Sequence, residues 1–315
     1  FQLGYAPDTG DALLQEALQK GYDKENLEAL GLVSEKGRDF FRGRAMFAIH
    51  NPSGKIIGFG GRILNTVLKA PKYINTPETE VYHKSEVLYG LYFAKKAIRK
   101  ADQCILVEGY TDVVSLHQAG IENVVSASGT SLTEDQVKLI KRHTREALVL
   151  FDGDQAGIKA AQRGLNLLLE EGMNVRLALL PEGEDPDSYV TRLGSDDFKA
   201  FLQDSSQDFI LYNLSLIKET TADNPVKKAS MVRELVQTLS LIPDSLQRSI
   251  YIRQTAEVLG LDEQLIVQEV NRDIHETLQK KQNRQNRQQG FDTTEDIAAT
   301  NKSFGAKDVA RGPQS

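Results

Sequence analysis

The stretch CILVEGYTD at residues 104–112 decides the fold class of this chain. Its apolar run ends in Glu108 and a glycine, and a short β-rich run followed by glycine is typical of a buried parallel strand that leads into a helix. A second run of the same design, ALVLF at residues 147–151, leads into Asp-Gly-Asp at 152–154. Because ligands of open α/β sheets lie outside the carboxyl ends of the strands, we expect Glu108 and Asp152 at one functional edge.

A third acidic cluster, GEDPD at residues 183–187, follows another apolar run, VRLAL at residues 175–179. Asp-x-Asp by itself is also ordinary turn chemistry, whereas three acidic clusters in succession after apolar runs indicate a metal site. Close carboxylates repel one another unless a cation offsets their charge, and oxygen ligands without nearby His or Cys favour Mg²⁺ or Mn²⁺ over zinc. We predict a Mg²⁺ site, in which Mn²⁺ can substitute, with the ligands Glu108, Asp152, Asp154, Asp185 and Asp187.

These motifs resemble a known family. A strand ending in Glu-Gly, followed later by a strand ending in Asp-x-Asp, is the signature of the Toprim fold of primases, topoisomerases and some nucleases. The flanking residues are similar to those of bacterial replicative primases of the DnaG type, from residue 1 to about residue 280. The motifs are FRGRAMF (41–47), IGFGGR (57–62), KYINTPET (72–79), VEGYTDVV (107–114), SGTS (128–131), FDGDQAG (151–157) and GEDPDS (183–188).

The resemblance implies synthesis of short RNA primers from NTPs on single-stranded DNA, by two-metal nucleotidyl transfer. It implies that Glu108 is essential and leaves open whether Glu108 is a metal ligand or a general base. Asp112 lies four residues after Glu108. It either supports the metal site from the adjoining helix or is a first-turn acid that the helix dipole favours. The predicted catalytic residues are Glu108, Asp112, Asp152 and Asp154.

Three rival functions share the fold. A topoisomerase would need a nucleophilic tyrosine on a separate DNA-gate domain, which nothing in the chain resembles. A Toprim nuclease would hydrolyse DNA, and such nucleases lack the basic Arg-Gly-Arg and Gly-Gly-Arg segments found here. A catalytically silent DNA-binding scaffold is the third alternative, and the presence of every acid of the motif argues against it.

The charge distribution favours a nucleic-acid partner, although the net charge of the chain is −6. Residues 36–100 contain thirteen Lys or Arg against four acids, a local net charge of +9 that leaves −15 for the remainder. A basic block beside an acidic metal site is expected where a polyanion is brought to bound cations. Single lysines such as Lys55 and Lys69 are more simply interpreted as solvated surface.

Basic residues in glycine- and aromatic-rich segments are the better candidates for phosphate contacts, and arginine would make them bidentate. Tyr73 and Tyr110 could stack on bases, with core packing as the alternative. The amides of residues 129–131 could face phosphate, while a plain helix cap by Ser131 or Thr133 is the alternative. The predicted nucleotide- or DNA-binding residues are Arg42, Arg44, Arg62, Lys72, Tyr73, Asn75 and Lys84.

The strand and helix patterns predict an α/β chain, α+β overall, in four parts. A mixed α/β basic lobe occupies residues 1–84. Alternating strands and helices at 85–200 predict a Toprim domain with a mainly parallel sheet flanked by helices. Apolar residues at helical spacing predict a helical subdomain at 201–280, and the polar composition of residues 281–315 predicts a flexible linker.

The composition agrees with a globular protein of a reducing compartment. With 315 residues and 40% hydrophobic content, the chain can bury a large core. It contains neither a run long enough to span a bilayer nor a secretory leader. The single cysteine, Cys104, lies in a predicted strand and is most simply a core residue. The resemblance implies a cytoplasmic protein of the bacterial replication fork, which we expect to be monomeric.

The chain begins at Phe1 and not at Met, from which we expect a fragment. Primases of this family have a zinc-binding module before the core and a helicase-binding module after it. We therefore expect no zinc in this chain, and contacts with the replicative helicase and the single-strand-binding protein through modules outside it. The expected partners of the core are the single-stranded DNA template, NTPs and the RNA primer product, with no membrane.

Overall fold

The computed structural model describes residues 1–65, 70–129, 131–151, 155–221, 224–280 and 282–283, and of residues 155–161 it describes the backbone only. Two predicted ligands, Asp152 and Asp154, therefore lie outside the described residues, as does Thr130. The same is true of residue 281 and residues 284–315, where we predicted the linker.

The amino-terminal lobe is built on a four-stranded antiparallel sheet in the order β1-β2-β3-β4. Strands β2 and β3 form the centre of this sheet. The sequence patterns did not predict β1 and β4, which are short edge strands. The elements of the lobe are β1 Leu3–Ala6, α1 Ala12–Gln19, α2 Lys24–Ala29, β2 Arg44–His50, β3 Ile56–Ile63 and β4 Tyr73–Asn75.

The turn between β2 and β3 follows from its sequence, NPSG at residues 51–54. The Asn51 side chain accepts hydrogen bonds from the backbone N–H groups of Ser53 (3.1 Å) and Lys55 (3.0 Å). Such local side-chain bonds are the reason that asparagine favours turns. The hairpin then places Ala45 of β2 opposite Arg62 of β3.

The second sheet has five strands in the order β6-β5-β7-β8-β9, in which β9 alone is antiparallel to its neighbour. Its elements are α3 Leu91–Ala101, β5 Cys104–Val107, α4 Tyr110–Gln118, β6 Val124–Ser126, α5 Glu134–Lys141, β7 Glu146–Phe151, α6 Gln155–Glu170, β8 Asn174–Leu179, α7 Pro186–Leu193, α8 Ser195–Ser205 and β9 Gln207–Asp208. Strand β6, which follows β5 in the chain, lies on one side of β5 in the sheet, and β7 lies on its other side. The direction in which strands are added therefore reverses at β5. This switch point is where open α/β sheets bind ligands.

The helices after the second sheet pack on it through a shared apolar core. Leu214, Leu235 and Ile252 are buried together with sheet residues such as Val149 and Leu177. Asp262 precedes the last helix and accepts a hydrogen bond from the backbone N–H of Gln264 (2.7 Å). These helices are α9 Phe209–Thr220, α10 Pro225–Ser240, α11 Ser245–Leu259 and α12 at 263–280.

The predicted fold class is confirmed: a mixed α/β lobe, a mainly parallel sheet with helices around it and a helical carboxyl-terminal part. The boundary that we predicted at residue 200 falls inside α8, and β9 continues the second sheet beyond it. The other domain boundaries stay predictions. Within the described ranges no helix combines the length and the apolar character that crossing a membrane requires.

The two sheets meet where Tyr110 of α4 packs on β3. The Tyr110 ring is 2% exposed and stacks on Phe47 with 5.1 Å between ring centroids. A Cβ atom at Gly60 would lie 2.5 Å from Cζ of Tyr110, so only glycine lets the ring approach the strand this closely. Tyr110 is therefore a core residue, which was the alternative to base stacking.

Replacing Gly60 with alanine should lower the free energy of unfolding by about 1–3 kcal/mol, since the added methyl group forces the Tyr110 ring out of place. Urea denaturation monitored by circular dichroism measures this change. Gly4→Ala is the matched control, because a Cβ there would lie at an ordinary 3.8 Å from Cβ of Met46. Equal stability of the two variants would contradict the close packing.

Candidate active site

Glu108 follows β5 at the carboxyl edge of the parallel sheet, as predicted, and its side chain is exposed. Its backbone carbonyl accepts a hydrogen bond from Oγ of Ser126 on the neighbouring strand (2.6 Å). The same Oγ accepts from the backbone N–H of Ser128 (2.8 Å), a residue with φ of 51°. The loop after β6 is thus folded back onto the β5 end, and it fixes the backbone that presents Glu108.

Asp112 lies in the first turn of α4 and is buried. Its Oδ2 accepts a hydrogen bond from the backbone N–H of Gly109 (2.8 Å). This is the geometry of an acid at a helix N-terminus, one of the two roles that we left open. Because Gly109 directly follows Glu108, the bond also holds the turn that carries Glu108. The prediction of a catalytic role for Asp112 remains a prediction.

The third acidic cluster begins α7 on the other side of α4. Asp185 is the N-cap of α7, where Oδ1 accepts the backbone N–H of Ser188 (2.7 Å). Asp187 accepts a hydrogen bond from Oγ of Ser115 on α4 (2.6 Å). Glu184 accepts from Nη2 of Arg192 at 2.7 Å. The cluster is therefore anchored by its own helix cap and by α4.

The chemistry of these acids fits a hard cation. Ionised carboxylates have about four lone-pair sites each, so the hydrogen bonds that Asp185 and Asp187 accept leave lone pairs for a metal ion. Within the described part of the chain, no three acidic, histidine or cysteine side chains are grouped closely enough to hold a metal. Asp152 and Asp154 come after β7 in the sequence and fall outside that part. The metal ligand set as a whole stays a prediction.

Strand β4 of the basic lobe contacts the acidic edge directly. Asn75 accepts a hydrogen bond from the Tyr110 hydroxyl (2.7 Å) and donates one to the backbone carbonyl of Ser128 (3.2 Å). The hydroxyls of Tyr73 and Thr111 lie 3.4 Å apart. Burial raises the pKa of Tyr110, which keeps its phenol a hydrogen-bond donor. Asn75, a predicted nucleotide contact, thus also joins the two sheets.

Two predicted cations flank Tyr73 at the end of the first sheet. The Arg62 guanidinium carbon and the Lys72 ammonium lie 5.8 and 5.9 Å from the centroid of the Tyr73 ring. Tyr73 and Arg62 are half-buried, whereas Lys72 is exposed. Among the ion pairs between described residues, none includes Arg62 or Lys72. Both charges are therefore open to an anionic ligand.

Lys84 lies next to the loop after β6. Its ammonium is 3.5 Å from the backbone carbonyl of Gly129. Burial lowers the pKa of Lys84, and the nearby Glu78 carboxylate acts in the opposite direction. The Gly129 end of the loop is followed by α5, which Thr133 caps by accepting the backbone N–H of Gln136 (3.2 Å). The helix-cap alternative for Thr133 is confirmed.

Arg44 has a different environment from the phosphate contact that we predicted. Its side chain is 6% exposed, and Nη1 donates to the backbone carbonyls of Gly61 (3.1 Å), Pro71 (3.1 Å) and Lys72 (3.4 Å). Burial lowers the pKa of Arg44. This geometry favours a structural role in which Arg44 ties the end of β3 to the start of β4. Its neighbour Arg42 is exposed.

The sequence reasoning did not identify the hydroxyl residues that hold the site together. Ser126 and Ser115 contact the Glu108 backbone and the Asp187 carboxylate. A serine at the end of the apolar strand β6 is a signal that could have been used, because a buried hydroxyl needs a partner. Ser115 had no comparable signal, since its partner lies 72 residues further along the chain.

Three family models match successive parts of the chain. They describe the N-terminal domain of the DNA primase catalytic core at residues 1–95, a Toprim-like domain at 105–190 and the DnaB-helicase binding domain of primase at 214–264. The last match corrects one expectation. We placed helicase binding wholly outside this chain, whereas the matched segment lies in α9 to α11 and the start of the following helix.

Solved structures and curated proteins agree with these matches. The structure is similar to a DNA primase domain from Pseudomonas aeruginosa, with a TM-score of 0.76, 37% identity and coverage of 86% of this chain and 87% of that one. For the Aquifex aeolicus primase (zinc-binding and RNA polymerase domains), the TM-score is 0.74 with 35% identity, over 85% and 65% of the two chains. The DNA primase of Clostridium acetobutylicum is 36% identical over 284 residues, 88% of this chain and 46% of that protein.

A basic antiparallel lobe held against a parallel sheet with acidic strand ends defines a protein of the Toprim class. The matches to primase domains extend over most of the chain. The chain therefore belongs to the family of DnaG-type bacterial DNA primases and corresponds to the part that forms their catalytic core. This confirms the resemblance in the motifs. The chain spans about half the length of the curated relatives it matches.

Arg44→Ala should lower the free energy of unfolding by about 1–3 kcal/mol, since it leaves the buried carbonyl of Gly61 and the part-buried carbonyls of Pro71 and Lys72 without this donor. Arg42→Ala, two residues away and exposed, should change it by no more than about 0.5 kcal/mol. Chemical denaturation of both variants checks the difference. If the role of Arg44 were instead to bind phosphate, Arg44→Ala and Arg42→Ala would change the free energy of unfolding of the unliganded protein equally little.

Proposed function

We propose that this chain is the catalytic core of a primase, which synthesises short RNA primers from NTPs on a single-stranded DNA template. The observation that carries the proposal is the contact of β4 with the acidic edge, through Asn75 and Tyr73. It places the basic lobe beside the turn that carries Glu108, so that a polyanion bound by the lobe reaches the carboxylates. A DnaG primase catalytic domain similar to this chain (33% identity) has been solved bound to single-stranded DNA.

Each group at the edge has a role in this proposal. Arg62 and Lys72 bind phosphates of the template or the triphosphate, and Lys84 does so beside the loop after β6. Asp152 and Asp154, with Asp185 and Asp187, hold divalent metal, Mg²⁺ or in its place Mn²⁺. Bound metal would activate the 3′-hydroxyl and stabilise the charge of the leaving pyrophosphate. Glu108 acts there either as a further ligand or as a general base.

The partners of the whole protein follow from the same proposal. The match of residues 214–264 to the DnaB-helicase binding domain of primase supports a replicative helicase as partner, contacted in part through α9 to α11. A single-strand-binding protein is the second expected partner. The protein would act as a monomer at the bacterial replication fork, in the cytoplasm.

Asp152→Ala should abolish primer synthesis and leave folding intact, because it removes a ligand and relieves repulsion between carboxylates. The measurement is incorporation of labelled ribonucleotide on single-stranded DNA at high protein concentration, with Mg²⁺, with Mn²⁺ and with EDTA. A thermal melt of each protein serves as the folding control. Metal-dependent nicking or degradation of DNA without RNA product would identify a nuclease or topoisomerase instead, and unfolding of the variant would show that Asp152 is structural.

Lys72→Ala should weaken binding to single-stranded DNA and reduce the slope of log K against log salt by about 0.7, the value for one lost phosphate contact on a single strand. Lys55→Ala is the matched control: it is also an exposed lysine of the same lobe and should leave the slope unchanged. Fluorescence anisotropy across a salt series gives both slopes. Identical slopes for wild type and Lys72→Ala would remove Lys72 from the binding surface.

A further inference from the structure

An open cleft of about 530 Å³ lies between the first sheet and α4. One wall is formed by Ala45 and Phe47 of β2, and the opposite wall by Val114 and Ser115 of α4. Arg62 and Lys72 line it as well, together with residues that follow β3. A volume of this size is in the range of small-molecule and nucleotide sites.

The cleft exists because one side chain of β2 is small. Alternate residues of a strand point to the same face, so Ala45 and Phe47 both face α4. Phe47 fills its part of the gap by stacking on Tyr110. The methyl group of Ala45 cannot do so, and the space in front of it stays open beside Val114.

The walls of the cleft are apolar, and two cations line it as well. Leu3 and Leu64 are among its lining residues and are 57% and 58% exposed, so the cleft offers apolar surface that a bound ligand would cover. Arg62 and Lys72 add two charges that no acid among the described residues pairs. An apolar slot beside two free cations matches a flat base attached to a phosphate.

We propose that this cleft takes one unpaired nucleobase of a single nucleic-acid strand, while Arg62 and Lys72 bind the phosphates on either side of it. The proposal rests on the proposed function, which supplies the single-stranded DNA template as the ligand. It adds that the basic lobe holds bases of that template as well as its phosphates. Stacking of a base on an aromatic side chain contributes about 1–3 kcal/mol in single-strand binding, about a tenfold or larger change in affinity, and Phe47 is the aromatic side chain that lines this cleft. Every base has an apolar face, so the cleft would not select for sequence.

The test compares a single-stranded oligonucleotide with an abasic strand of the same length and the same phosphates, by fluorescence anisotropy. Wild type should bind the strand with bases about tenfold more tightly. Ala45→Leu fills the cleft and should remove this preference while it retains affinity for the abasic strand. Ala200→Leu adds the same volume on exposed α8 and should behave as wild type.

Leu64→Ser is a second variant, chosen because Leu64 is exposed and its loss should not impair folding; it should reduce the preference too. A preference that persists in Ala45→Leu and Leu64→Ser, or equal binding of both strands by wild type, overturns the cleft as a base site and leaves DNA binding standing. If neither strand binds, the chain does not bind a single-stranded template, and the proposed function is wrong as well. If Ala45→Leu weakens ATP binding and not the preference between strands, the cleft holds the base of a free nucleotide and the strand assignment is wrong.

Discussion

The packing of Tyr110 between the two sheets is the contact on which the rest of the structure depends. The ring lies on Gly60 and stacks on Phe47, and its hydroxyl donates to Asn75. Tyr110 follows Glu108 by two residues, so one side chain couples the acid-bearing turn to the basic lobe. An aromatic ring buries a large apolar area and still offers a polar atom for a directional bond, which is why it can fix both the distance and the angle between sheets.

The arrangement also explains how opposite charges coexist at short range without cancelling one another. Two basic side chains that remain open, Arg62 and Lys72, lie at the end of the first sheet, whereas the carboxylates of Asp112, Asp185 and Asp187 accept hydrogen bonds from backbone N–H groups and a hydroxyl. Neutral donors orient a carboxylate without consuming a cation. The positive charges are therefore available to a polyanion, and the acids are available to metal.

Much of the fold was predictable because its signals are local. The apolar runs before Glu108 and Asp152 became adjacent parallel strands, and Thr133 and Asp262 cap their helices as polar side chains at helix starts do. Strands β1 and β4 have three or four residues and no alternating pattern, so they were not predictable from the sequence. For the site, motif spacing placed Glu108 at the sheet edge. The role of Arg44 was not predictable, since its partners are the backbone carbonyls of another segment.

The sequence by itself determined the class of the fold, the order of the acidic clusters and the concentration of positive charge in residues 36–100, because apolar periodicity, motif spacing and composition are properties of neighbouring residues. Only the tertiary structure decided which arginine is buried and which is open, which serine holds which acid, and where a cleft remains between β2 and α4. Those outcomes depend on the shapes and distances of side chains far apart in the chain. Ala45 leaves a space, and Tyr110 fills one, only because β3 and α4 meet at a particular distance.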